Sequence, residues 1–471
     1  MPRPRRHLTD ELTARFVAIR ADLDVPEEFP VETLALAARR ANSAQSAGVE
    51  ADRRDVELFS IDPAGSRDLD QALHLERVGS GYRFHYAIAD VGHWIEPGDA
   101  IDVEARRRGS TIYCPDVRVP LHPTDLSEGA ASLLAGTERP AILWTIDLDQ
   151  QGVTSHVGVE RAIVRNRRTL SYREVQDAID AGSTDPQFRL LEEVGRLRLA
   201  LEVERGGVSL DLPTQEVERV GDHYELRYER ALDVERWNAQ MSLCCGMAAA
   251  ELMTCAGVGI LRTLPAAEPE TIDRLRLHSA ALNVPWPTEM SYPQWVRSLD
   301  PATPAGAALM TQAARTLRGS NYLPFDGDLG ADHRHHAIAS DYAHVTAPLR
   351  RLVDRFANEC VLAAAGRRRP PGWVLDALPE LPGIMGSTAQ LASRVDRAVV
   401  DLTEAATLAH LVGRTFPAVV TATGRNQSTV QLTEPAVIAS IPGEVAIGTT
   451  LTLRLDVADL DGPTVGFSIL D

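Results

Sequence analysis

Four short runs of apolar and β-branched residues follow one another in the first third of the chain, and polar turn residues separate them. The runs are residues 56–61, 72–75, 82–88 and 142–148. Runs of this length between polar turns are typical of β-strands. Further along, residues 188–204 alternate leucine with charge at helical spacing, and residues 241–255 are small and apolar, as in a buried helix. The pattern predicts an α+β body of about 300 residues.

The segment before this body has a helical pattern. Leu12, Phe16 and Ile19 share one helical face, and after two prolines Leu34 and Ala38 stand four residues apart. We expect two helices and a turn. Such a segment suits a helix-turn-helix nucleic-acid reader, but it equally suits a small docking hairpin.

The segment after the body changes character twice. Three arginines, two prolines and a glycine at 367–372 break the pattern, and residues 389–412 then predict one more helix. From 416 to 470, short alternating runs separated by glycines are typical of a five-stranded barrel, for which the OB-fold is the first choice.

The basic residues are unusual, because all 48 of them are arginine. The absence of lysine excludes a Gly-Lys-Ser/Thr phosphate loop, a pyridoxal Schiff base and a kinase-type strand lysine. Five cysteines without a Cys-x-x-Cys pair indicate reduced thiols, and no apolar run reaches the roughly 18 residues that span a bilayer. We therefore expect a soluble, cytoplasmic protein. The net charge of −18 argues mildly against broad nucleic-acid binding, yet a local arginine-lined channel stays open.

An acidic loop follows the first β-run. Asp62, Asp68 and Asp70 fall within nine residues, and Pro63 and Gly65 permit a tight reversal that could bring them together. Converged carboxylates repel one another unless a cation neutralises them. Oxygen ligands without histidine or thiolate suit Mg²⁺ or Mn²⁺. The alternative is a solvated turn, because aspartate is common in turns.

A second motif spans residues 342–354. Pro348 favours an extended segment, and we expect a helix to begin near Leu349. Arg350 and Arg351 would then lie beside free backbone amides of the first turn, which together bind phosphate oxygens. Either arginine could instead form an ion pair with Asp354. Three histidines upstream, at 333, 335 and 336, are interpreted as part of a polar loop rather than as metal ligands.

Between these motifs lie three more. They are Ala89-Asp90-Val91-Gly92-His93, Arg108-Gly109-Ser110-Thr111-Ile112-Tyr113-Cys114-Pro115, and Pro120-Leu121-His122-Pro123 followed by Leu126-Ser127. Taken in this order, the motifs of residues 56–365 resemble those of the ribonuclease II (RNB) family of exoribonucleases. Any one motif is weak evidence, whereas five in order over 300 residues are specific.

The resemblance implies a hydrolytic, processive 3′→5′ exoribonuclease that degrades single-stranded RNA from a free 3′ end. The implied products are nucleoside 5′-monophosphates and a short limit oligonucleotide, and the implied cofactor is Mg²⁺, with Mn²⁺ as a substitute. No nucleotide cofactor or membrane is implied. By this resemblance, Asp62, Asp68 and Asp70 would bind the metal, and Asp68, Asp70 and Arg350 would be catalytic. The residues that would bind RNA are Tyr113, Tyr172, Arg350 and Arg351. Tyr172 could instead simply belong to the core.

The chain departs from the family pattern in three respects. One is that the helix after residue 389 offers Val399-Val400 before Asp401 where relatives often carry an acidic residue, so no role is carried over there. Gln71 stands where the family usually has a fourth aspartate, which leaves open a catalytically weakened RNA-binding protein on the same scaffold. The N-terminal helices stand in place of the usual cold-shock domains, and we hypothesise that they alter the access of structured RNA. The predicted domains are a helical domain at 1–55, an RNB catalytic domain with its following helices at 56–412, and an OB-fold at 413–471.

Overall fold

The computed structural model describes residues 5–43, 51–210, 212–221, 223–331, 333–432 and 434–470. Its helices are α1 (Arg5–Asp22), α2 (Val31–Ala41), α3 (Ala100–Arg108), α4 (Tyr172–Asp180), α5 (Pro186–Arg205), α6 (Asp233–Ala256), α7 (Pro269–Ala281), α8 (Tyr292–Ser298), α9 (Pro304–Ala313), α10 (Leu352–Ala365), α11 (Gly372–Ala377) and α12 (Leu381–Leu408). Its strands are β1 (Ala51–Asp52), β2 (Leu58–Asp62), β3 (Gln71–Val78), β4 (Gly81–Ala89), β5 (Ile112–Tyr113), β6 (Arg118–Val119), β7 (Glu138–Leu148), β8 (Thr154–Ser171), β9 (Thr214–Val220), β10 (His223–Glu229), β11 (Val258–Thr263), β12 (Asn321–Asp326), β13 (Thr415–Thr423), β14 (Gln427–Leu432), β15 (Ile438–Pro442), β16 (Thr450–Asp459) and β17 (Thr464–Ile469).

The two N-terminal helices pack against different neighbours. α1 lies against α12 and β10 and buries Leu12 and Phe16, as its periodicity predicts. α2 lies against α3, but it buries Thr33 and Ala37, whereas Leu34 is exposed. The sequence predicted that Leu34 and Ala38 share the buried face of α2, and this prediction is wrong by one position along the helix. Apolar residues occur all around this short helix, so periodicity alone does not select the buried side.

The central sheet has the strand order β1-β8-β2-β3-β4-β7, and β7 also pairs with β8. This second pairing closes the sheet on itself. β8 runs parallel to β1 and β2, and the other pairs are antiparallel. The four predicted β-runs fall in β2, β3, β4 and β7, and the large side chains of Phe59, Tyr86 and Trp144 are fully buried between the sheet and the helices.

Helices α5 and α6 cover one face of this core. α6 is the buried helix that the sequence predicts, and it extends further toward the N-terminus than the apolar run. Gly195 of α5 lies directly against the side chain of Trp237 of α6. The two helices approach closely because this glycine has no side chain.

A five-stranded barrel in the order β15-β14-β13-β16-β17 forms the C-terminal part, as predicted. β15 lies alongside β17, which nearly closes the barrel. The preceding helix, α12, begins eight residues before the predicted start and ends near the predicted end. In the part of the chain that the structure describes, no helix is long and apolar enough to cross a membrane.

Candidate active site

The acidic loop joins the end of β2 to the start of β3. Ser132 fixes its middle, because the Ser132 hydroxyl donates to the carbonyl of Arg67 (2.6 Å) and accepts from the amide of Leu69 (2.9 Å). The amide of Leu133 donates to the carbonyl of Leu69 (3.0 Å). These bonds hold Asp70, at the end of the loop, in a buried position.

Asp62 and Asp70 face a pocket of about 320 Å³. Gln71, Tyr172 and Arg350 line the same pocket, and α6 supplies Glu235, Asn238, Ala239, Ser242 and Leu243. Burial raises the pKa of Asp62 to about 7, and the nearby charge of Asp68 adds to this effect. Burial likewise raises the pKa of Asp70 to about 7, against the opposing effect of Arg350. The partly buried carboxylate of Asp62 and the buried carboxylate of Asp70 thus share one neighbouring guanidinium, an arrangement that a further cation would stabilise.

Asp68 is oriented differently from the other two aspartates. Its carboxylate forms an ion pair with Arg118, which also contacts Glu128 at 2.5 Å. Among the described residues, no three histidine, cysteine, aspartate or glutamate side chains lie close enough together to hold a metal ion. The donor set of Asp62 and Asp70 consists only of carboxylate oxygens and fits a hard divalent cation, and Asp68 would join it by releasing Arg118.

The segment 342–354 lies against the acidic loop. The amide of Leu349 donates to Asp70 Oδ1 (2.7 Å), and Arg350 Nε lies 3.3 Å from Asp70 Oδ2. Arg351 forms a two-pronged ion pair with Asp354 (2.8 and 2.9 Å). Helix α10 begins at Leu352, three residues after the predicted start, so the arginines precede its first turn. The delay arises because Arg351 has an extended backbone and forms a β-bridge with Ser110, so the helix can begin only after it.

Backbone pairing brings Tyr113 to the same place. Thr111 N donates to the carbonyl of Arg350 (3.0 Å), and Leu352 N donates to the carbonyl of Gly109 (2.9 Å). Gly109 has φ of 70°, and a methyl group there would overlap Thr388. The Arg-Gly-x-x-x-Tyr motif is thereby joined to the Thr-x-Pro-x-Arg motif. Tyr113, at the end of this stretch, is 56% exposed.

Helix α6 contributes site residues that the sequence analysis missed. Asn238 is buried, and its Nδ2 donates to the hydroxyl of Tyr172 (3.2 Å). Its Oδ1 has no hydrogen-bond partner among the described residues. The hydroxyls of Ser242 and Thr346 lie 2.8 Å apart. The signal was available in the sequence, since residues 235, 238 and 242 form a polar stripe at helical spacing on an apolar helix.

Comparison with known proteins adds to this geometry. A family model described as the RNB domain matches residues 51–365, and one described as the RNase II-type exonuclease C-terminal S1 domain matches residues 414–470. The first match covers more than half of the chain. The chain belongs to the RNB family.

Proteins of several kinds are similar to it. The exosome complex exonuclease RRP44 homolog A of Arabidopsis thaliana is 26% identical over 372 residues, which are 74% of this chain and 39% of that relative. Mycoplasma genitalium RNase R in complex with ribose methylated single-stranded RNA has a TM-score of 0.88 at 18% identity, over 98% of this chain and 78% of that chain. Yeast Ssd1, a pseudonuclease, has a TM-score of 0.70 at 15% identity, over 88% of this chain and 52% of that chain.

Two RNB motif positions have structural partners. Gln71 Nε2 donates to the carbonyl of Thr346 (2.7 Å), and the hydroxyl of Tyr86 donates to Gln71 Oε1. Gln71 therefore ties the acidic loop to the segment that carries Arg350. Asp90 is buried in an ion pair with Arg161 (2.8 Å), which also binds Glu359, so this part of the Ala-Asp-Val motif holds β8 and α10 together.

Proposed function

We propose that this chain is a divalent-metal-dependent 3′→5′ exoribonuclease that hydrolyses single-stranded RNA processively. Its products would be nucleoside 5′-monophosphates and a short limit oligonucleotide. The observation that carries the proposal is the 3.3 Å approach of Arg350 to Asp70, which unites the two motifs most distant in sequence in one pocket of an RNB domain. The chain spans 39% of the length of its Arabidopsis relative, so activity and substrate are proposed for this chain on its own geometry.

Mg²⁺ is the proposed cofactor, with Mn²⁺ as a substitute, and Asp62, Asp68 and Asp70 are the proposed ligands. The bound metal would lower the pKa of an attacking water and offset charge on the scissile phosphate. The raised pKa of Asp62 and of Asp70 supports this assignment, because burial disfavours their ionised forms even beside Arg350, and a further cation would favour them.

The proposed roles of the other residues follow from their positions. Arg350 is 42% exposed beside Asp70, so its guanidinium can contact phosphate oxygens as negative charge develops. The exposed ring of Tyr113 can stack on the terminal base, and stacking accepts any base. Tyr172 lines the pocket and is proposed to contact the same nucleotide. Arg351 binds Asp354, and its proposed part in RNA binding acts through the backbone that presents Arg350.

The five cysteines are all free, which supports a reducing compartment such as the cytoplasm. The weakened RNA-binding alternative depended on Gln71. The side-chain nitrogen and oxygen of Gln71 both have protein partners, so we propose that Gln71 is a structural link. The described residues of the pocket do not favour a weakened RNA-binding protein over an enzyme.

One assay tests the proposal. The purified chain is incubated with 5′-labelled single-stranded RNA or DNA, first with Mg²⁺ and then with EDTA. We expect RNA to yield mononucleotides and a short oligomer without a ladder, and EDTA to stop the reaction. Retention of RNA without cleavage would support the alternative. Equal cleavage of DNA would contradict an RNA-specific enzyme, because discrimination should depend on the 2′-hydroxyl.

A further inference from the structure

Arg118 lies on β6, directly across the hairpin from Tyr113, and its guanidinium bridges two carboxylates. Its Nη1 donates to Asp68 Oδ1, and its Nη2 donates to Glu128 Oε1 at 2.5 Å. The side chains of all three charged residues are partly buried. Ion pairs that are partly withdrawn from water are screened less than exposed ones. Asp68, a proposed metal ligand, is therefore neutralised by a positive charge of the chain itself.

The segment of residues 126–133 supports both carboxylates of this bridge. Glu128 lies in the short helical turn Leu126–Ala130. Just beyond that turn, the hydroxyl of Ser132 forms hydrogen bonds to the backbone of the two residues that flank Asp68. The backbones that carry the two carboxylates should thus keep their separation. What can change is the share of the Arg118 guanidinium that each carboxylate binds.

The two arginines at the acidic loop differ in their further partners. Arg350 lies 3.3 Å from Asp70 and forms no other ion pair in the part of the chain that the structure describes. Arg118 binds Asp68 and also Glu128. A guanidinium with a second carboxylate can leave the first without becoming an unpaired charge, which would be costly in a partly buried place. Glu128 therefore lowers the cost of moving Arg118 away from Asp68.

A divalent cation and a guanidinium that share one carboxylate oppose each other. Each attracts the carboxylate, and the two positive charges repel one another at short range. Binding of a cation by Asp68 must therefore weaken or break its ion pair with Arg118. The cost of that step depends on how well Glu128 holds the displaced guanidinium.

We propose that Arg118 is a positioning residue that competes with the divalent cation for Asp68, and that Glu128 takes up Arg118 when the cation binds. This inference rests on the proposed function for the metal and its aspartate ligands. It deepens that function, because the affinity for the metal is then set by two residues outside the acidic loop.

Equilibrium binding of Mn²⁺ to the full chain tests the inference, with free Mn²⁺ measured by electron paramagnetic resonance in the absence of RNA. The binding that Asp70→Asn abolishes is assigned to the site. Arg118→Gln removes the competing charge, so Mn²⁺ should bind about tenfold or more tightly. Arg118→Lys keeps the charge and should bind Mn²⁺ as the wild type does. Equal or weaker binding in Arg118→Gln would overturn the proposal.

Arg54→Gln is the matched control. Arg54 makes the same kind of bridge away from the pocket, with Nη2 on Asp52 (2.5 Å) and Nη1 on Glu138 (3.1 Å). Loss of this arginine should leave the affinity for Mn²⁺ unchanged. Tighter binding in Arg54→Gln as well would mean that any lost positive charge has this effect, and would contradict a specific role of Arg118.

Glu128 supplies a second arm that does not depend on the Arg118 variants alone. Glu128→Gln leaves Asp68 as the one carboxylate that binds Arg118, so Mn²⁺ should bind more weakly than in the wild type. In the Arg118→Gln background the same change should have a much smaller effect, because Glu128 acts through Arg118. An effect of equal size in both backgrounds would contradict the exchange.

These measurements require no turnover, so they are read separately from RNA hydrolysis. Mn²⁺ binding that is the same in the wild type and in Arg118→Gln would overturn the inference and leave the nuclease proposal standing. Absence of Mn²⁺ binding in every variant would contradict the proposed metal site, and the inference with it.

Discussion

Asp70 is held from two sides by the segment that carries Arg350. One carboxylate oxygen accepts the amide of Leu349 at 2.7 Å, and the other faces the guanidinium of Arg350 at 3.3 Å. Asp62 has no comparable anchor in the part of the chain described, and Asp68 is paired with Arg118. At the scale of single residues, Asp70 is therefore the side chain that links the acidic loop to Arg350, the arginine proposed to bind phosphate.

Asp70→Asn should separate binding from turnover. Asparagine keeps the shape and the acceptor for Leu349, but it removes the charge that a metal requires. We expect RNA hydrolysis to fall by on the order of 10³-fold or more, while the affinity for RNA measured by filter binding changes little.

Asp326→Asn serves as the control, because Asp326 forms an exposed ion pair with Arg369 far from the pocket in sequence. Wild-type hydrolysis by the Asp70 variant would contradict the assignment.

At the scale of elements, the N-terminal helix braces the hairpin of β5 and β6. Arg20 of α1 is buried, and it binds the carboxylate of Asp116 through two nitrogens at 2.8 and 3.0 Å. Asp116 lies in the hairpin between Tyr113 and Arg118. α1 and this hairpin also share an apolar cluster that includes Phe16, Ile112 and Val119. The helix thus supports the segment that presents Tyr113.

Asp116→Asn should loosen this brace. Arg20 keeps its contact with Glu27 (3.0 Å), so the loss of charge at Asp116 should cost less than the roughly 3–5 kcal/mol of an unpaired buried charge, and the hairpin should become more mobile without loss of the central sheet. If the chain acts on RNA as proposed, the limit oligonucleotide should lengthen and KM should rise more than kcat falls. Asp22→Asn, an exposed change on the same helix, should alter neither. If the Asp116 variant gives a limit oligonucleotide of unchanged length, the Arg20–Asp116 ion pair has only a structural role.

The contact between α5 and α6 predicts the outcome of a second substitution. Alanine is a better helix former than glycine by about 0.5–1 kcal/mol, but overpacking a core costs about 1–3 kcal/mol. A methyl group at Gly195 would overlap Trp237, so Gly195→Ala should lower the free energy of unfolding by about 1–2 kcal/mol.

Gly386→Ala in α12 is the matched control, because a methyl group there meets nothing within 4 Å. Urea denaturation should show stabilisation of the Gly386 variant and destabilisation of the Gly195 variant. Stabilisation of the Gly195 variant as well would mean that helix propensity outweighs packing.

At the scale of the whole molecule, Glu404 of α12 joins the barrel to the β9–β10 hairpin. Its Oε1 accepts from Gln215 Nε2 (2.6 Å) and from the amide of Ile438 (2.8 Å). Burial raises the pKa of Glu404 from 4.5 to about 7, although these two donors lower it; Asp401 nearby raises it further. The folded molecule therefore binds a proton here more tightly than the unfolded chain.

This shift sets the direction of a pH effect. The contribution of Glu404 to stability is full below pH 4.5 and is lost as the pH rises toward 7, because the folded state then holds an ionised carboxyl in a buried place. Glu404→Gln keeps an acceptor oxygen and cannot ionise. We expect it to be more stable than the wild type at pH 8, by about 1–3 kcal/mol, and not at pH 4.5. Urea midpoints at both pH values measure this, with the exposed Glu444→Gln as the control; equal differences at both pH values would contradict the shift.

The sequence by itself determined the local features of this protein. Alternating apolar runs predicted β2, β3, β4, β7 and the five-stranded barrel, because strand pairing in these regions buries residues that stand two apart. The order of the short motifs identified the family. Both kinds of information are local or sequential, and neither depends on which distant segments meet.

Only the tertiary structure decided how the site is built. Arg351 forms a β-bridge with Ser110, which is far away in sequence, and this bridge sets the start of α10 at Leu352. Leu349 and Asp70 are equally far apart, and their hydrogen bond places Arg350, not Arg351, beside the acidic loop. The same holds for the pairing of Asp68 with Arg118 and for the part that Asn238 plays in the pocket. Such contacts satisfy buried charges and amides across the fold, and a local pattern carries no record of the partner that will satisfy them.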